Sequence, residues 1–153
     1  MEIRKIYGEE IETALQLIWE TFLQFEAPDY SEQGVDSFYR FLSNQPMIDT
    51  LEFFGAMNKK ELMGVIATND HRKHICCFFV KARYHRQGVG RKLWTYLKDS
   101  SSNQKFTLNA SPYAVPFYHK LGFTDTGKEK VSDGIRFTPM KYERGILSDQ
   151  MFR

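Results

Sequence analysis

The stretch YHRQGVGRKLW, residues 84–94, places two glycines directly before a segment with helical hydrophobic spacing. Upstream, HICCFFV (residues 74–80) is a continuous apolar run, the pattern of a strand buried on both faces. Downstream, apolar residues recur at i, i+4, i+7 and i+8 from Val89, which predicts a helix. A strand, a glycine loop and a helix N-terminus in succession present free backbone N–H groups that favour an anion. The stretch therefore predicts a phosphate-binding loop.

Two better-known glycine loops are excluded by their spacing. A dinucleotide G-x-G-x-x-G motif needs a third glycine where Leu93 stands. A G-x-x-x-x-G-K-[ST] loop ending at Gly88 needs a glycine where Arg83 stands, and Gly90 is followed by Arg91 rather than lysine. Taken alone, the loop fits a pyrophosphate site and a plain strand-to-helix turn with solvated charges equally well.

The hydrophobic pattern elsewhere predicts alternating helices and strands. Two amphipathic helices precede a β-hairpin and the apolar strand, and a strand, a short helix capped by Gly122 and a final hairpin follow the glycine loop. The order is β-α-α-β-β-β-α-β-α-β-β, an α/β layout around one mixed sheet. In the apolar strand, strict alternation predicts two faces, with Ile75, Cys77 and Phe79 on one and Cys76, Phe78 and Val80 on the other.

Composition narrows the class of protein. The chain of 153 residues is 42% hydrophobic with 13 Phe, 8 Tyr and 2 Trp, and we expect one domain, residues 1–153, with no assignment for the tail at 144–153. The net charge of +2 does not indicate a nucleic-acid partner. We expect no signal peptide and no membrane span, because the first residues are charged and no apolar run approaches the length of a bilayer. The adjacent Cys76 and Cys77 give no disulfide framework. We therefore predict a cytoplasmic protein with no membrane partner.

A second motif makes the first one specific. NASPYAVPFYHKLGF, residues 109–123, contains an Asn, a short helix with Phe-Tyr and then Gly-Phe. Together with R/Q-x-x-G-x-G/A after a strand, this resembles the GNAT superfamily of acetyl-CoA-dependent N-acetyltransferases, over roughly residues 1–143. The resemblance implies a mixed, mostly antiparallel sheet flanked by helices. One departure is His85, which occupies the first position of the signature, where the family usually has Gln or Arg.

The resemblance implies roles for particular residues. The family's strand before the loop splays from its neighbour and pairs with the pantetheine arm, which here implicates Phe78, Phe79 and Val80. Asn109 would contact the pantetheine region, and Phe117 would pack against the cofactor arm. Loop residues implied for the pyrophosphate are His85, Arg86, Gln87, Gly88, Val89, Gly90, Arg91 and Lys92. Simple core packing remains an alternative for the three phenylalanines.

The implied reaction needs a proton acceptor, an oxyanion donor and a proton donor. Tyr118 follows Phe117, the position of the family's frequent general acid, and a phenol with a pKa near 10 holds its proton at neutral pH. A main-chain N–H near Phe79 is the expected oxyanion donor. His74, at the start of the apolar strand, is a candidate base because imidazole titrates near neutrality, and a water chain or Tyr113 are alternatives. We predict no metal, although His71 and His74 lie close in sequence.

The acceptor is expected to be a primary amine of a small molecule or a peptide. From Glu20 to Tyr39 the chain has five carboxylates and no Lys or Arg, with aromatic residues interleaved. In the family the first two helices overhang the acceptor site, so this segment suggests a cationic acceptor, although solvated helix faces would give the same pattern. A non-catalytic acyl-CoA-binding module of the same fold is the alternative function. The sequence leaves a monomer and a homodimer equally open.

Overall fold

Eight strands and five helices make up residues 1–145, which the computed structural model describes. The strands are β1 (Glu2–Lys5), β2 (Glu52–Asn58), β3 (Glu61–Asn69), β4 (His74–Val80), β5 (Lys105–Ala110), β6 (Thr124–Asp125), β7 (Lys130–Ser132) and β8 (Ile135–Glu143). The helices are α1 (Glu9–Phe25), α2 (Glu32–Ser43), α3 (Gln45–Ile48), α4 (Val89–Asp99) and α5 (Val115–Leu121). Residues 146–153 of the unassigned tail lie outside the described part.

The sheet order is β1-β2-β3-β4-β5-β8-β6, with β7 paired to β8. All neighbours are antiparallel except β4 and β5, so the predicted mixed, mostly antiparallel sheet is confirmed. Gly122 ends α5 with φ +100, as the capping prediction requires. Pro28 lies in a 3₁₀ turn (Ala27–Asp29) that follows α1, and Pro46 lies in the first turn of α3.

The last predicted hairpin forms, but one of its two strands is divided. Residues 126–129 lie opposite only residues 138–139 of β8, so two residues are extra and the ladder is interrupted between β6 and β7. The turn itself is Asp133-Gly134, both at positive φ, which shortens the predicted VSDG connection to two residues.

A β-bulge overturns the predicted alternation in β4. Ala67 pairs with Cys77 and Thr68 with Ile75, so Cys76 is an extra residue without a partner on β3. The bulge places Ile75 in the hydrophobic cluster beneath α4, while Cys76 and Cys77 both join the cluster beneath α1. Ile75 and Cys77 therefore lie on opposite faces, not on one face as strict alternation predicted.

The sheet separates two hydrophobic cores. Leu93, Trp94 and Leu97 of α4 are at most 2% exposed and pack with Phe106 and Phe123 on one face. On the other face, the buried stripe of α1 packs against the middle strands and α2. Helices cover both faces, and β3 is buried on both sides. In β4 the residues Ile75, Cys77 and Phe79 are buried, but Cys76, Phe78 and Val80 are only half-buried, so the two-sided burial predicted from its apolar run is only partial. No helix in residues 1–145 is both long and apolar enough to cross a membrane.

The feature that positions the site is a short parallel pairing in the middle of the sheet. β4 and β5 pair only at His74–Thr107 and Ile75–Leu108. Beyond that point β5 continues along β8 and β4 continues along β3, so the two strands diverge. The divergence leaves one backbone edge of β4 without a partner strand, directly upstream of the glycine loop.

Candidate functional site

The glycine loop forms the N-terminus of α4. Gly88 is the N-cap residue with φ +82, a left-handed conformation in which glycine is favoured. The first intrahelical hydrogen bond of α4 is from the Lys92 amide to the Gly88 carbonyl, at 3.0 Å. Within residues 1–145 the amides of residues 87–91 have no protein acceptor. These free N–H groups and the positive end of the helix dipole form an anion site.

The basic side chains around the loop divide into two groups. Lys81 and Arg83 both form ion pairs with Glu61 and therefore anchor the loop to the start of β3. Arg86, Arg91 and Lys92 are exposed, and none of the three forms an ion pair with a described residue. These three charges are available to an anion at the helix N-terminus.

The register of β4 shows which backbone groups face the open edge. The Lys81 amide donates to the Met63 carbonyl at 2.9 Å, and Phe79 pairs with Val65 two residues further along the same ladder. In an antiparallel ladder hydrogen-bonded pairs alternate, so Phe79 bonds toward β3. The backbone groups of Phe78 and Val80 therefore face the divergence. The amides that face the divergence on either side of Phe79 are therefore those of Phe78 and Val80.

His85 closes one end of this open edge. Its Nε2 donates to the Val80 carbonyl at 2.6 Å, and its ring lies 4.8 Å from the ring of Phe25 at the end of α1. Phe25 also stacks on Tyr113, with ring centroids 5.1 Å apart. His85, which stands where the family usually has Gln or Arg, thus donates a hydrogen bond to the last residue of β4.

The divergence of β4 and β5 opens into a cavity of about 430 Å³. Among the predicted site residues, the cavity is lined by Tyr118, His74, Phe78, Phe79 and Asn109. Val80, Phe117 and loop residues 85–92 do not line it. The predicted residues thus fall into two groups, one at the cavity and one at the anion site, joined by the free edge of β4.

Tyr118 is 7% exposed and lies on α5. Its ring contacts the rings of Phe78 and Phe123, with centroids 5.9 Å and 5.8 Å apart. Burial, followed by the negative charge of Glu26, raises the pKa of the Tyr118 hydroxyl above its ordinary value. The hydroxyl therefore stays protonated at neutral pH, as a proton donor requires.

His74 lies at the base of the cavity. Its Nδ1 is 2.8 Å from the hydroxyl of Thr107, its partner residue on β5. Burial lowers the pKa of the His74 imidazole, so the ring is neutral at pH 7 and able to accept a proton.

Glu26 is the residue at the cavity that the sequence did not single out. It is half-buried, follows the last residue of α1 and shares the cavity lining with Tyr118 and Cys77. Burial raises the pKa of Glu26 to about 7, against a smaller lowering by the Ser111 hydroxyl. The buried Ser111 hydroxyl lies beside the Glu26 carboxylate and has no other hydrogen-bond partner among residues 1–145.

The remaining carboxylates of the acidic segment lie elsewhere. Glu32 and Asp36 line a separate surface groove of about 390 Å³ with Trp19, Tyr30 and Tyr39. Asp36 is paired with Arg40 on the same helix, and Glu20 is exposed. Asp29 does not line the cavity, although its charge contributes to the raised pKa of Glu26. Of the five carboxylates in the segment, only Glu26 lines the cavity, because a charge run does not reveal which of its side chains turns inward.

Asn109 and Phe117 occupy the sides of the open edge. Asn109 is exposed on β5 and pairs with Pro139 of β8. Phe117 is 37% exposed, and its ring meets that of Phe78 edge-on at 5.6 Å. A Cβ built on Gly90 would lie 2.8 Å from Phe117 Cζ, so the close approach that Gly90 permits is to this ring.

Comparison with known proteins agrees with this geometry. Residues 26–144 match the family model of the acetyltransferase (GNAT) domain, and the chain belongs to that family. No curated protein sequence matches the chain significantly.

Solved structures share the fold at low sequence identity. A GCN5-related N-acetyltransferase from Rhodopseudomonas palustris has a TM-score of 0.79 and 18% identity, covering 93% of this chain and 94% of its own. The PaiA N-acetyltransferase of Thermoplasma acidophilum, solved with coenzyme A, has a TM-score of 0.71 and 24% identity, with 93% and 98% coverage. Apo YjaB of Escherichia coli has a TM-score of 0.73 and 20% identity, with 92% and 96% coverage.

Proposed function

We propose that this protein is an acetyl-CoA-dependent N-acetyltransferase that acts on a primary amine by direct attack. One observation carries the proposal: the unpaired edge of β4 connects the free amides of α4 to the cavity that contains Tyr118. The Thermoplasma relative solved with coenzyme A supports the same class of cosubstrate.

The residues present fit acetyl-CoA. The amides of residues 87–91 and the charges of Arg86, Arg91 and Lys92 would hold the pyrophosphate. The backbone of Phe78 and the amide of Val80 would pair with the pantetheine arm, with Asn109 and Phe117 flanking it. When bound, acetyl-CoA supplies an acetyl group activated as a thioester.

Glu26 is proposed as the base. An alkylammonium has a pKa near 10, so transferring its proton to a carboxylate of pKa near 4.5 costs roughly 7–8 kcal/mol. Raising the pKa of Glu26 to about 7 lowers that cost to roughly 4 kcal/mol. His74, the base predicted from sequence, remains the alternative because its neutral ring also lines the cavity.

Tyr118 is proposed to protonate the departing sulfur. The charge of Glu26 raises the pKa of the Tyr118 hydroxyl, after the larger effect of burial. When Glu26 accepts the ammonium proton, that charge disappears and the Tyr118 hydroxyl becomes a stronger acid. Proton uptake at Glu26 thus favours proton release at Tyr118, in the order that amide formation requires.

The acceptor is proposed to be a cationic amine. Among the described residues that line the cavity there is no Lys or Arg, whereas Glu26 and Asp133 are present. Phe38, Phe41 and Phe79 supply an apolar wall for the alkyl part of such a molecule. We expect neither nucleic acid nor a metal to take part.

Release of free thiol from acetyl-CoA in the presence of a pool of primary amines tests the proposed function. We expect amine-dependent thiol release together with an acetylated product detected by mass spectrometry. Acetyl-CoA binding without acetylation of any amine would instead support the non-catalytic binding module.

The pH profile of kcat/KM separates the two candidate bases. We expect the acidic limb to lie near pH 7 and to disappear in Glu26→Gln, because the carboxylate must be ionised to accept the proton. His74→Gln is the matched comparison and should retain the limb. A limb below pH 6.5 that is lost in His74→Gln and kept in Glu26→Gln would assign the base to His74.

Stability gives a second readout of Glu26 that does not depend on activity. Because its pKa is higher in the folded state than in the unfolded state, ionisation of Glu26 destabilises the folded protein. The free energy of unfolding should therefore fall as the pH rises from about 4.5 to about 7. We expect Glu26→Gln to be more stable than wild type at pH 8, by an amount on the order of 1–3 kcal/mol. Equal melting temperatures at pH 8 would contradict the raised pKa.

A further inference from the structure

The N-terminal half of α2 is in direct contact with the turn between β7 and β8. Gly34 and Gly134 approach so closely that a Cβ on Gly34 would lie 2.1 Å from the Gly134 carbonyl oxygen. One helical turn further, the Ser37 hydroxyl donates to the Asp133 carbonyl at 2.8 Å. On the other side, Arg136 Nη1 donates to the Asp29 carbonyl at 3.3 Å. We call this line of contacts the seam.

The seam joins the two sides of the cavity. Tyr30, Phe38 and Phe41 line the cavity from the α1–α2 side. Ser132, Asp133, Ile135 and Phe137 line it from the hairpin side. Because contacts at Gly34, Ser37 and Asp29 connect these two sides, an extended chain cannot lie between them without separating the seam.

We infer that the acceptor is a small free amine and not a lysine within a peptide or protein chain. This inference rests on the proposed function and specifies its substrate class. The cavity of about 430 Å³ has to receive both the thioester and the acceptor, a volume in the range that small-molecule ligands occupy. Glu26 would receive the ammonium and the phenylalanine wall would receive a short alkyl chain.

The close contact at the seam requires glycine at both position 34 and position 134. Gly134 has φ +79, and a Cβ there would lie 2.3 Å from the Gly34 amide nitrogen. Any side chain at either position would displace the helix from the turn. A substitution at the seam can therefore separate the two sides of the cavity without changing Glu26, His74 or Tyr118.

A series of acceptors that share one butylammonium group tests the inference. The series is n-butylamine, an N-acetylated lysine amide, a blocked tripeptide with central lysine and a blocked ten-residue peptide with one lysine. We expect kcat/KM of the wild type to fall by at least about 100-fold from the first to the last, since a misplacement near 1 Å can cost that factor. Equal or greater kcat/KM for the ten-residue peptide would overturn the inference and leave the proposed transferase function intact.

Seam variants add a structural control. In Gly34→Ala we expect the ratio of peptide to butylamine kcat/KM to rise at least about tenfold over wild type. Gly127→Ala is the matched control, because its Cβ would meet only side-chain atoms, at 3.3 Å or more.

Ser37→Ala, which loses only the hydrogen bond across the seam, replaces Gly34→Ala if melting shows that Gly34→Ala is unfolded. For Ser37→Ala we expect a measurable rise of any size in the ratio of peptide to butylamine kcat/KM. An unchanged ratio in a folded seam variant would show that the seam does not limit acceptor size, and absence of turnover with every amine would overturn the transferase function as well.

Discussion

Tyr118→Phe is expected to lower the single-turnover rate of amine acetylation by 10²–10⁴-fold, with little change in acetyl-CoA affinity. General-acid contributions have this size, about 3–5 kcal/mol in the barrier. The substitution removes only the hydroxyl, and the contacts of the ring with Phe78 and Phe123 are kept. The loss should therefore appear in the chemical step and not in binding.

A second tyrosine of the same core controls for the loss of a hydroxyl. Tyr142 also packs on Phe123, with centroids 5.7 Å apart, but does not line the cavity. Tyr142→Phe should keep the wild-type rate, and melting temperatures of both variants report folding. If Tyr118→Phe slows chemistry by less than about threefold, Tyr118 is a packing residue and water or another group protonates the sulfur.

The parts of the site that depend on local backbone were predictable from the sequence. A strand, two glycines and a helical pattern define an anion site because they fix where unpaired amides lie, whatever the rest of the chain does. The short helix with Phe117 and Tyr118 was predictable for the same reason, since Gly122 ends it. Long-range contacts then bring these two segments to one divergence between strands.

The parts that depend on long-range pairing were not predictable. In a run such as HICCFFV every residue is compatible with a buried face, so the sequence does not show which side chains point to which side of the sheet. The bulge at Cys76, which places Ile75 and Cys77 on opposite faces, could be found only from the register with β3. Glu26 was one carboxylate among five, and its burial depends on β4 and on the segment around Ser111. The contact of Gly34 with Gly134 joins elements far apart in sequence, and neither glycine has a local pattern that identifies its partner.

The anion site offers the second large effect, at Gly88. We expect Gly88→Asp to weaken acetyl-CoA binding by about 100-fold relative to Gly88→Asn, in calorimetric titrations at low salt. Asp and Asn have the same shape and both tolerate the left-handed conformation that Gly88 adopts at φ +82, so the pair differs in charge alone. No atom outside its neighbours lies within 4 Å of a Cβ built at Gly88, so neither side chain meets a steric barrier.

The size of this effect follows from the charge placed beside the phosphates. A carboxylate about 5 Å from one phosphate charge costs roughly 3 kcal/mol at an effective dielectric constant near 20, which corresponds to about 100-fold in affinity. Asp at a helix N-terminus is favourable for the helix itself, so Gly88→Asp should melt no lower than Gly88→Asn. Because salt screens exposed charges, the gap in affinity between the two variants should narrow as ionic strength rises. Equal affinities for the two folded variants at low salt would place the pyrophosphate away from the N-terminus of α4.

Gly90 is unsuitable for this test, because any Cβ at that position would displace the Phe117 ring, and the effect of an added charge could not be separated from that displacement.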